Sequence, residues 1–377
     1  MQTGLDFYTV RQAEKKKKRR LLLISLSAFL VIFGFSLCIR TAAVGLVAPQ
    51  EVLLNLFTCL KLNICKLLSL PGYLEAEYAI MNDLPLYFET LARFKISLLS
   101  FTAGGMMAVA GAVYQGVFRN PIAAPTMLGV SSGINFAIII MTYMFGSQLY
   151  SMTAARYQFA YIGAAVMLVI VMLASKLIAG KKRKAAVTDM LLMGIVLSQI
   201  LGCIESYLRF EMDPELLRVL QELSSGIYIN LDTISFVYLG ASLLIGFLPI
   251  FLMRFSFNVV CFPDEDAYNL GINPKLLRYT LLIAATLLIA SATVHVGAVG
   301  MLALIIPHFC RYFFGVDSRK LVFSSFVYGG LFLLVCRGVS ASISFGMYGA
   351  LPIATVVSVI AAPVFVIVLL QQRRGWE

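Results

Sequence analysis

Residues 111–133 read GAVYQGVFRNPIAAPTMLGVSSG and lie between two long apolar runs. This stretch contains two prolines and one arginine but no acidic residue. An α-helix cannot pass smoothly through Pro121 or Pro125, because proline lacks a backbone N–H and crowds the preceding turn. Broken backbone at a membrane edge is tolerated only where protein or water satisfies the freed polar groups. The stretch therefore predicts a specific turn at one membrane face.

Composition indicates that the whole chain belongs to a membrane. Of its 377 residues, 60% are hydrophobic and only 13% are charged, and the mean hydropathy is +0.88. These values are typical of polytopic membrane proteins and exclude an ordinary soluble domain. The net charge of +11 does not indicate nucleic-acid binding, because Lys and Arg occur in short clusters beside apolar runs, as membrane flanks do.

Ten apolar runs predict an all-α polytopic membrane protein of about ten transmembrane helices. With the N-terminus inside, about 21 of the 30 Lys and Arg residues fall at cytoplasmic ends, so both termini are predicted to be cytoplasmic. The predicted organisation is a basic tail at 1–20, a single ten-helix domain at 21–370 and a second tail at 371–377. The predicted spans are 21–39, 93–114, 123–145, 157–179, 187–208, 232–253, 278–296, 299–314, 320–337 and 351–370.

The first apolar run follows the basic sequence KKKKRR at 15–20. A cleavable signal peptide begins in the same way. The run is long, however, and only the weak candidate at 41–43 follows it as a cleavage site, so a retained first helix is predicted. The segment 209–222 reads as a short amphipathic helix that begins near Asp213 and Pro214 on the outer face.

Several chemistries lack the residues that they require. No GxxxxGK[ST] loop is present, so the chain holds no phosphate cradle of that kind. His295 and His308 have no Cys or carboxylate at ligand spacing, and no metal site or catalytic residue is predicted. Glu205 is the only acidic residue deep in a span, which argues against an ion-coupled carrier and an intramembrane protease. A pathway driven by another protein remains.

The opening stretch resembles the signature GAxxQxxxRNPLAxPxxLGxxxGA of the permease subunits of type II ABC importers. One earlier stretch, at 36–56, and five later stretches resemble the same family in the same order; the later ones are 191–198, 223–227, 263–277, 297–311 and 351–365. The signature matches in fixed register at Gly111, Ala112, Gln115, Arg119, Asn120, Pro121, Ala123, Pro125, Leu128, Gly129 and Gly133.

The resemblance implies a permease subunit, not an enzyme, in the bacterial cytoplasmic membrane. Its cargo would be an iron chelate, with a ferric siderophore as the first candidate and haem or cobalamin as the alternatives. Spans 2–5 and 7–10 would be related as inverted repeats. An ion-driven secondary transporter and a structural partner without a pathway stay open as rivals outside the family.

The resemblance also implies partners. Two copies of an ABC ATPase would use ATP and Mg, while this chain itself binds no cofactor. A substrate-binding lipoprotein or periplasmic protein would deliver the cargo, and a second permease copy would complete a homodimer or a related heterodimer. Membrane lipids surround the chain, and no nucleic acid is expected as a partner.

Residues 263–278, between spans six and seven, resemble the family's ATPase-coupling loop. Three acidic residues stand where the dipole of a short helix favours negative charge, Gly271 ends that helix, and Pro274 helps to open the next. The pattern predicts a two-helix knob on the cytoplasmic side. The coupling residues carried over are Asp264, Glu265, Ala267, Asn269, Leu270, Gly271, Asn273 and Leu277.

Three further groups of site residues follow from the resemblance. The signature turn comprises Gln115, Arg119, Asn120, Pro121, Pro125 and Gly129. Docking of a binding protein is assigned to Arg93, Lys95 and Arg337, although Ile96 stands where the family has the second arginine of an RxxR pair. The pathway is assigned to one stripe of span five, formed by Met193, Ser198, Gly202 and Ser206.

Overall fold

The computed structural model describes residues 27, 31–36, 50, 54, 57–58, 84–179, 187–224, 232–343 and 351–374. The chain divides into two compact units, residues 1–93 and 94–377. In the first unit, Arg93 is buried and forms an ion pair with Glu89, one helical turn earlier. Most of the first predicted span, 21–39, lies outside the described residues. The division into two tails and one ten-helix domain stays a prediction.

Among the described residues from 84 onwards, the fold is helical and confirms the multi-pass membrane class. In this part of the chain seven helices are long and apolar enough to cross a membrane, and Gly300–Phe314 and Ile353–Pro363 are shorter apolar helices. Together they match the predicted spans two to ten. In chain order the helices are α1 (Leu84–Val117), α2 (Val130–Phe145), α3 (Thr153–Ala179), α4 (Val187–Phe210), α5 (Pro214–Ser224), α6 (Thr233–Ser242), α7 (Leu248–Leu252), α8 (Arg254–Phe257), α9 (Asp264–Asn269), α10 (Pro274–Val296), α11 (Gly300–Phe314), α12 (Ser318–Ser342) and α13 (Ile353–Arg374).

Among the candidate spans, α1 and α10 are the most buried and α4 is the least. An apolar window of 18 residues is 78% buried in α1 and in α10, against 11% in α4. Helix α3 packs against α2, α4 and α10, while α11 packs against α12 and α13. The sets α1–α4 and α10–α13 are the two groups predicted to be inverted repeats.

Close contacts between small residues connect helices inside the second unit. Gly104 of α1 faces Gly329 of α12, and a Cβ added to Gly104 would overlap the carbonyl oxygen of Gly329. Gly111 of α1 lies against Ala303 of α11 in the same way. Lipid tails are as apolar as leucine, so membrane helices depend on such close van der Waals contact for association. These positions therefore determine how near the helices can lie.

Two local features depart from a plain helical bundle. The short helix predicted after residue 209 is α5, which buries Val219, Leu220 and Leu223. Span six contains a π-helical turn at Leu243–Phe247, between α6 and α7. A π turn is a place where a helix departs from its regular hydrogen-bond ladder. Span six is therefore one continuous helical run from Thr233 to Leu252 with a local irregularity in its hydrogen bonding.

The start of α12 yields a stability prediction. The carboxylate of Asp317 accepts the backbone N–H of Arg319 at 3.0 Å and Nδ2 of Asn258 at 3.2 Å. Hydrogen bonding from the Arg319 side chain lowers the pKa of Asp317 to about 2. Asp317→Ala removes this cap, and we expect a loss of about 1–2 kcal/mol in the free energy of unfolding. Thermal unfolding in detergent measures it.

Glu211→Ala is the matched control, because Glu211 is an exposed carboxylate in a turn. We expect its Tm to equal that of the parent chain. A Tm for Asp317→Ala that equals the control would contradict the proposed capping role.

Candidate functional site

The signature turn, residues 118–129, connects α1 and α2 without continuous helix. Arg119 has a φ of 49°, the left-handed conformation that few non-glycine residues adopt. The Asn120 side chain accepts the backbone N–H of Ile122 at 3.1 Å, which closes a local turn before the first proline. Gly129, with a φ of 75°, precedes α2. The broken backbone predicted around Pro121 and Pro125 is thus present.

Polar side chains attach this turn to α11. Nε2 of Gln115 donates to the carbonyl oxygen of Leu304 at 2.9 Å, and Oε1 of Gln115 accepts from Arg311. Nε2 of His308 donates to the carbonyl oxygen of Pro121 at 2.7 Å. His308 therefore satisfies a backbone group that the proline turn leaves without a helical partner.

The predicted coupling loop forms a hairpin of α9 and the first turn of α10. Ala267 and Leu277 are buried at its base, whereas Glu265, Asn269 and Leu270 are exposed. Gly271, with a φ of 74°, lets the chain reverse after α9. Oδ1 of Asn273 accepts the N–H of Lys275 at 3.1 Å and of Leu276 at 3.3 Å, which caps α10. The predicted knob therefore differs in one respect: its second helix is the start of span seven, which begins at Pro274.

Asp264, the first residue of α9, contacts two arginines. Nη1 of Arg278, on α10, donates to Oδ2 of Asp264 at 3.3 Å, and its Nη2 contacts Oδ1 at 2.5 Å. Nη2 of Arg119 lies 3.6 Å from Oδ1 of Asp264. The structure thus brings the signature turn and the predicted coupling loop together.

A cavity of about 310 Å³ lies beside this contact, between the signature turn, α8, α11 and the start of α12. Arg119, Arg311 and His308 contribute its basic groups, and no carboxylate lines it. Phe257 and Leu321 form part of its apolar wall.

The predicted pathway residues lie on the most exposed of the candidate spans, α4. The hydroxyl of Ser206 donates to the carbonyl of Gly202 at 2.8 Å, and that of Ser198 donates to Gly194 at 2.5 Å. Met193 is half-buried, and a Cβ added to Gly202 would meet no atom within 4 Å. The Ser198 hydroxyl also lies 3.5 Å from the carbonyl oxygen of Thr126 in the signature turn. Because both hydroxyls are used inside the protein, this stripe presents little polarity. Its assignment to a pathway stays a prediction.

The three predicted docking residues are buried or half-buried in the structure. The Arg93 side chain is 1% exposed. Lys95 and Arg337 are half-buried, and Nη1 of Arg337 has no hydrogen-bond partner among the residues that the structure describes. The segment 344–350, which follows α12, lies outside them. A docking role for these three residues stays a prediction.

Another outer contact was not anticipated from the sequence. The hydroxyl of Tyr150 donates to Oε2 of Glu222 at 2.5 Å, and Nε of Arg218 donates to Oε1 at 2.9 Å. Donation by Tyr150, more than the ion pair, lowers the pKa of Glu222. These bonds attach α5 to the segment that joins α2 and α3. The spacing of Arg218 and Glu222, four residues apart, was the available signal.

Sequence reasoning also missed contacts that depend on tertiary structure. Gly194 fits α4 against the signature turn, because a Cβ there would meet the backbone of Met127 and Leu128. The pair of Asp264 and Arg278 spans 14 residues and has no helical spacing. Asn258 joins the segment before α9 to α12 by accepting the N–H of Ser318 at 2.8 Å. Such contacts have no local sequence pattern.

Comparison with known proteins gives a consistent result. The profile of the FecCD transport family matches residues 53–371. A Helicobacter pylori protein named "Probable iron chelatin transport system permease protein" is 31% identical over 73% of this chain and 80% of its own length. The hemin transport system permease protein HmuU of Yersinia pestis is 28% identical over 73% of this chain and 81% of its own length.

The fold has a counterpart among solved structures. A metal-chelate type ABC transporter in an inward-facing conformation superposes with a TM-score of 0.71 and 19% sequence identity. The match covers 93% of this chain and 98% of the other.

Proposed function

Since this chain belongs to the FecCD transport family, we propose that it carries an iron chelate across the bacterial cytoplasmic membrane, with a ferric siderophore as the first candidate cargo. It is the permease of a FecCD-type importer: a multi-pass membrane protein and a transport subunit, not an enzyme. ATP is used by a separate ATPase subunit. Haem and cobalamin are the alternative cargoes, because relatives named for hemin and cobalamin cover similar shares of the chain.

The hairpin at 263–278 is the observation that carries the proposed mechanism. Its tip exposes two apolar side chains, Leu270 at 60% and Tyr268 at 50%, next to the acidic residues of α9. By the predicted topology this tip lies on the cytoplasmic face. Burial of a leucine side chain contributes about 1.5–3 kcal/mol, so these groups favour contact with a partner protein. ATP-dependent motion of two ATPase subunits would move the hairpin and switch access between faces.

The exposed face of α4 supports the other half of the mechanism. Its outward residues are mainly apolar, as in Ile195, Val196, Ile200 and Ile204. We propose that a second permease copy covers part of this face and that the pathway runs between the copies, past Met193, Ser198, Gly202 and Ser206. A binding protein would deliver cargo at the outer ends of the helices, near Arg93, Lys95 and Arg337.

Transport by the reconstituted complex tests this function. The permease, its ATPase and its binding protein are placed in proteoliposomes, and uptake of a radiolabelled ferric hydroxamate siderophore, hemin and cyanocobalamin is compared. We expect ATP-dependent uptake of the ferric siderophore only. Liposomes that lack the ATPase are the control and should take up none of the three.

Each other outcome has a defined meaning. Uptake of hemin or cyanocobalamin in place of the ferric siderophore would change the cargo assignment but leave the proposed importer function intact. Uptake driven by a proton or sodium gradient without the ATPase would contradict the proposed mechanism and favour a secondary transporter.

A further inference from the structure

Arg119 joins the signature turn to the segment that leads into the coupling helix. Its Nε donates to the carbonyl oxygen of Val260 at 3.0 Å, and its Nη2 donates to that of Phe262. Both acceptors lie just before α9, whereas Arg119 lies 141 residues earlier in the chain than Val260. A guanidinium is suited to this arrangement, because its planar fork holds two acceptors at fixed positions.

The charge of Asp264 extends the same connection into α9. The carboxylate accepts from Arg278 of the following helix and lies 3.6 Å from Nη2 of Arg119. The side chains of Arg119 and Asp264 are 39% and 44% exposed. Ion pairs this exposed add little to folding stability. The contact can therefore fix the relative position of two segments without being essential to the fold.

Apolar packing supports the same pair of segments. A Cβ added to Gly116, one turn before Arg119, would lie 2.5 Å from the ring of Phe257. Phe257 is 1% exposed and Val260 is fully buried. The end of α1 and residues 257–262 are thus in close contact, and the Arg119 hydrogen bonds fix the orientation of the second segment on the first.

We infer that Arg119 is the positioning residue through which motion of α9 reaches the inner ends of α1 and α2. This inference rests on the proposed function, because it takes α9 to be the element that an ATPase moves. Arg278 holds α9 to its own following helix, α10. Arg119 instead connects α9 to a turn distant in sequence, which itself contacts α4 at Gly194. Loss of Arg119 should leave α9 attached to α10 but separate it from the turn.

The ratio of cargo transported to ATP hydrolysed tests this role. In the reconstituted complex, with the same ferric hydroxamate siderophore as probe, Arg119→Gln should keep ATP hydrolysis within about twofold of the parent and lower the ratio about tenfold. Arg119→Lys keeps the charge but not the fork, and should lower the ratio about threefold. Lys320→Gln is the matched control, because Lys320 is an exposed cation at the same face, and should leave the ratio unchanged.

The possible outcomes distinguish a positioning role from a folding role. A ratio at the parent value in Arg119→Gln would overturn the inference while leaving the importer function intact. Absence of ATP-driven uptake in the parent complex would instead contradict the function itself. If Arg119→Gln and Arg119→Lys both lower Tm by more than 5 °C or fail to accumulate, Arg119 maintains the fold and the inference is overturned.

Discussion

Replacing Gly111 with valine should prevent the permease from accumulating in the membrane. Gly111 lies where α1 meets α11, and an added Cβ would overlap the carbonyl oxygen of Ala303. Overpacking usually costs about 1–3 kcal/mol. Here the obstacle is backbone, which cannot change rotamer, so we expect a cost above about 3 kcal/mol out of a typical net stability of about 5–15 kcal/mol.

Fluorescence-detected chromatography of detergent extracts measures this effect as the amount of monodisperse protein. Gly240→Val is the matched control, because an added Cβ there would meet no atom within 4 Å. We expect the control to accumulate as the parent does. Normal accumulation and unchanged Tm of Gly111→Val would show that α1 and α11 are not in close contact.

Leu270→Glu should abolish ATP-driven uptake while the permease itself stays folded. Leu270 directly follows α9 and is 60% exposed, so the new carboxylate remains in water in the isolated chain. In the proposed complex the same side chain lies against the ATPase, where an unpaired charge would be desolvated. Loss of the leucine contact alone removes about 1.5–3 kcal/mol. We expect uptake to fall more than tenfold and less ATPase to copurify.

Lys320→Glu serves as the control for a new carboxylate on this face. Lys320 is exposed in the first turn of α12, outside the hairpin and the cavity beside the signature turn. It should retain uptake and ATPase copurification. Full uptake by Leu270→Glu, or a permease whose Tm falls below that of the control, would refute a specific role of the hairpin tip.

Helical boundaries were largely predictable, because hydropathy and chain breakers act locally. The span predicted at 187–208 is α4 at Val187–Phe210, and the short helix predicted near Pro214 is α5. The reversal at Gly271 followed from its conformational freedom, and the signature turn followed from two prolines. Helix starts were less predictable: α1 begins at Leu84 and α2 at Val130, where the spans were predicted from 93 and 123. Pro274 likewise begins span seven itself rather than a separate short helix.

The parts of the candidate site that depend on tertiary contacts were not predictable from one sequence. The sequence around Arg119 is compatible with a simple positive charge at a membrane flank. It does not reveal that the side chain donates to the carbonyl oxygens of Val260 and Phe262. The burial of Arg93 and its ion pair with Glu89 likewise depend on how α1 packs. The docking role predicted for Arg93 took no account of this packing. Small residues such as Gly111 can be recognised in the sequence as candidate helix contacts, but the residues that they face cannot.

The exposed side of α4 determines what kind of neighbour it can hold. Moving its isoleucines and valines from acyl chains to another protein releases almost no free energy, because both surroundings are hydrocarbon. Association with another helix must come instead from shape complementarity, which gives closer van der Waals contact than lipid chains can make. Gly202 and Ser206 form a shallow notch between bulkier neighbours, and a ridge on an adjoining helix would find its tightest fit there.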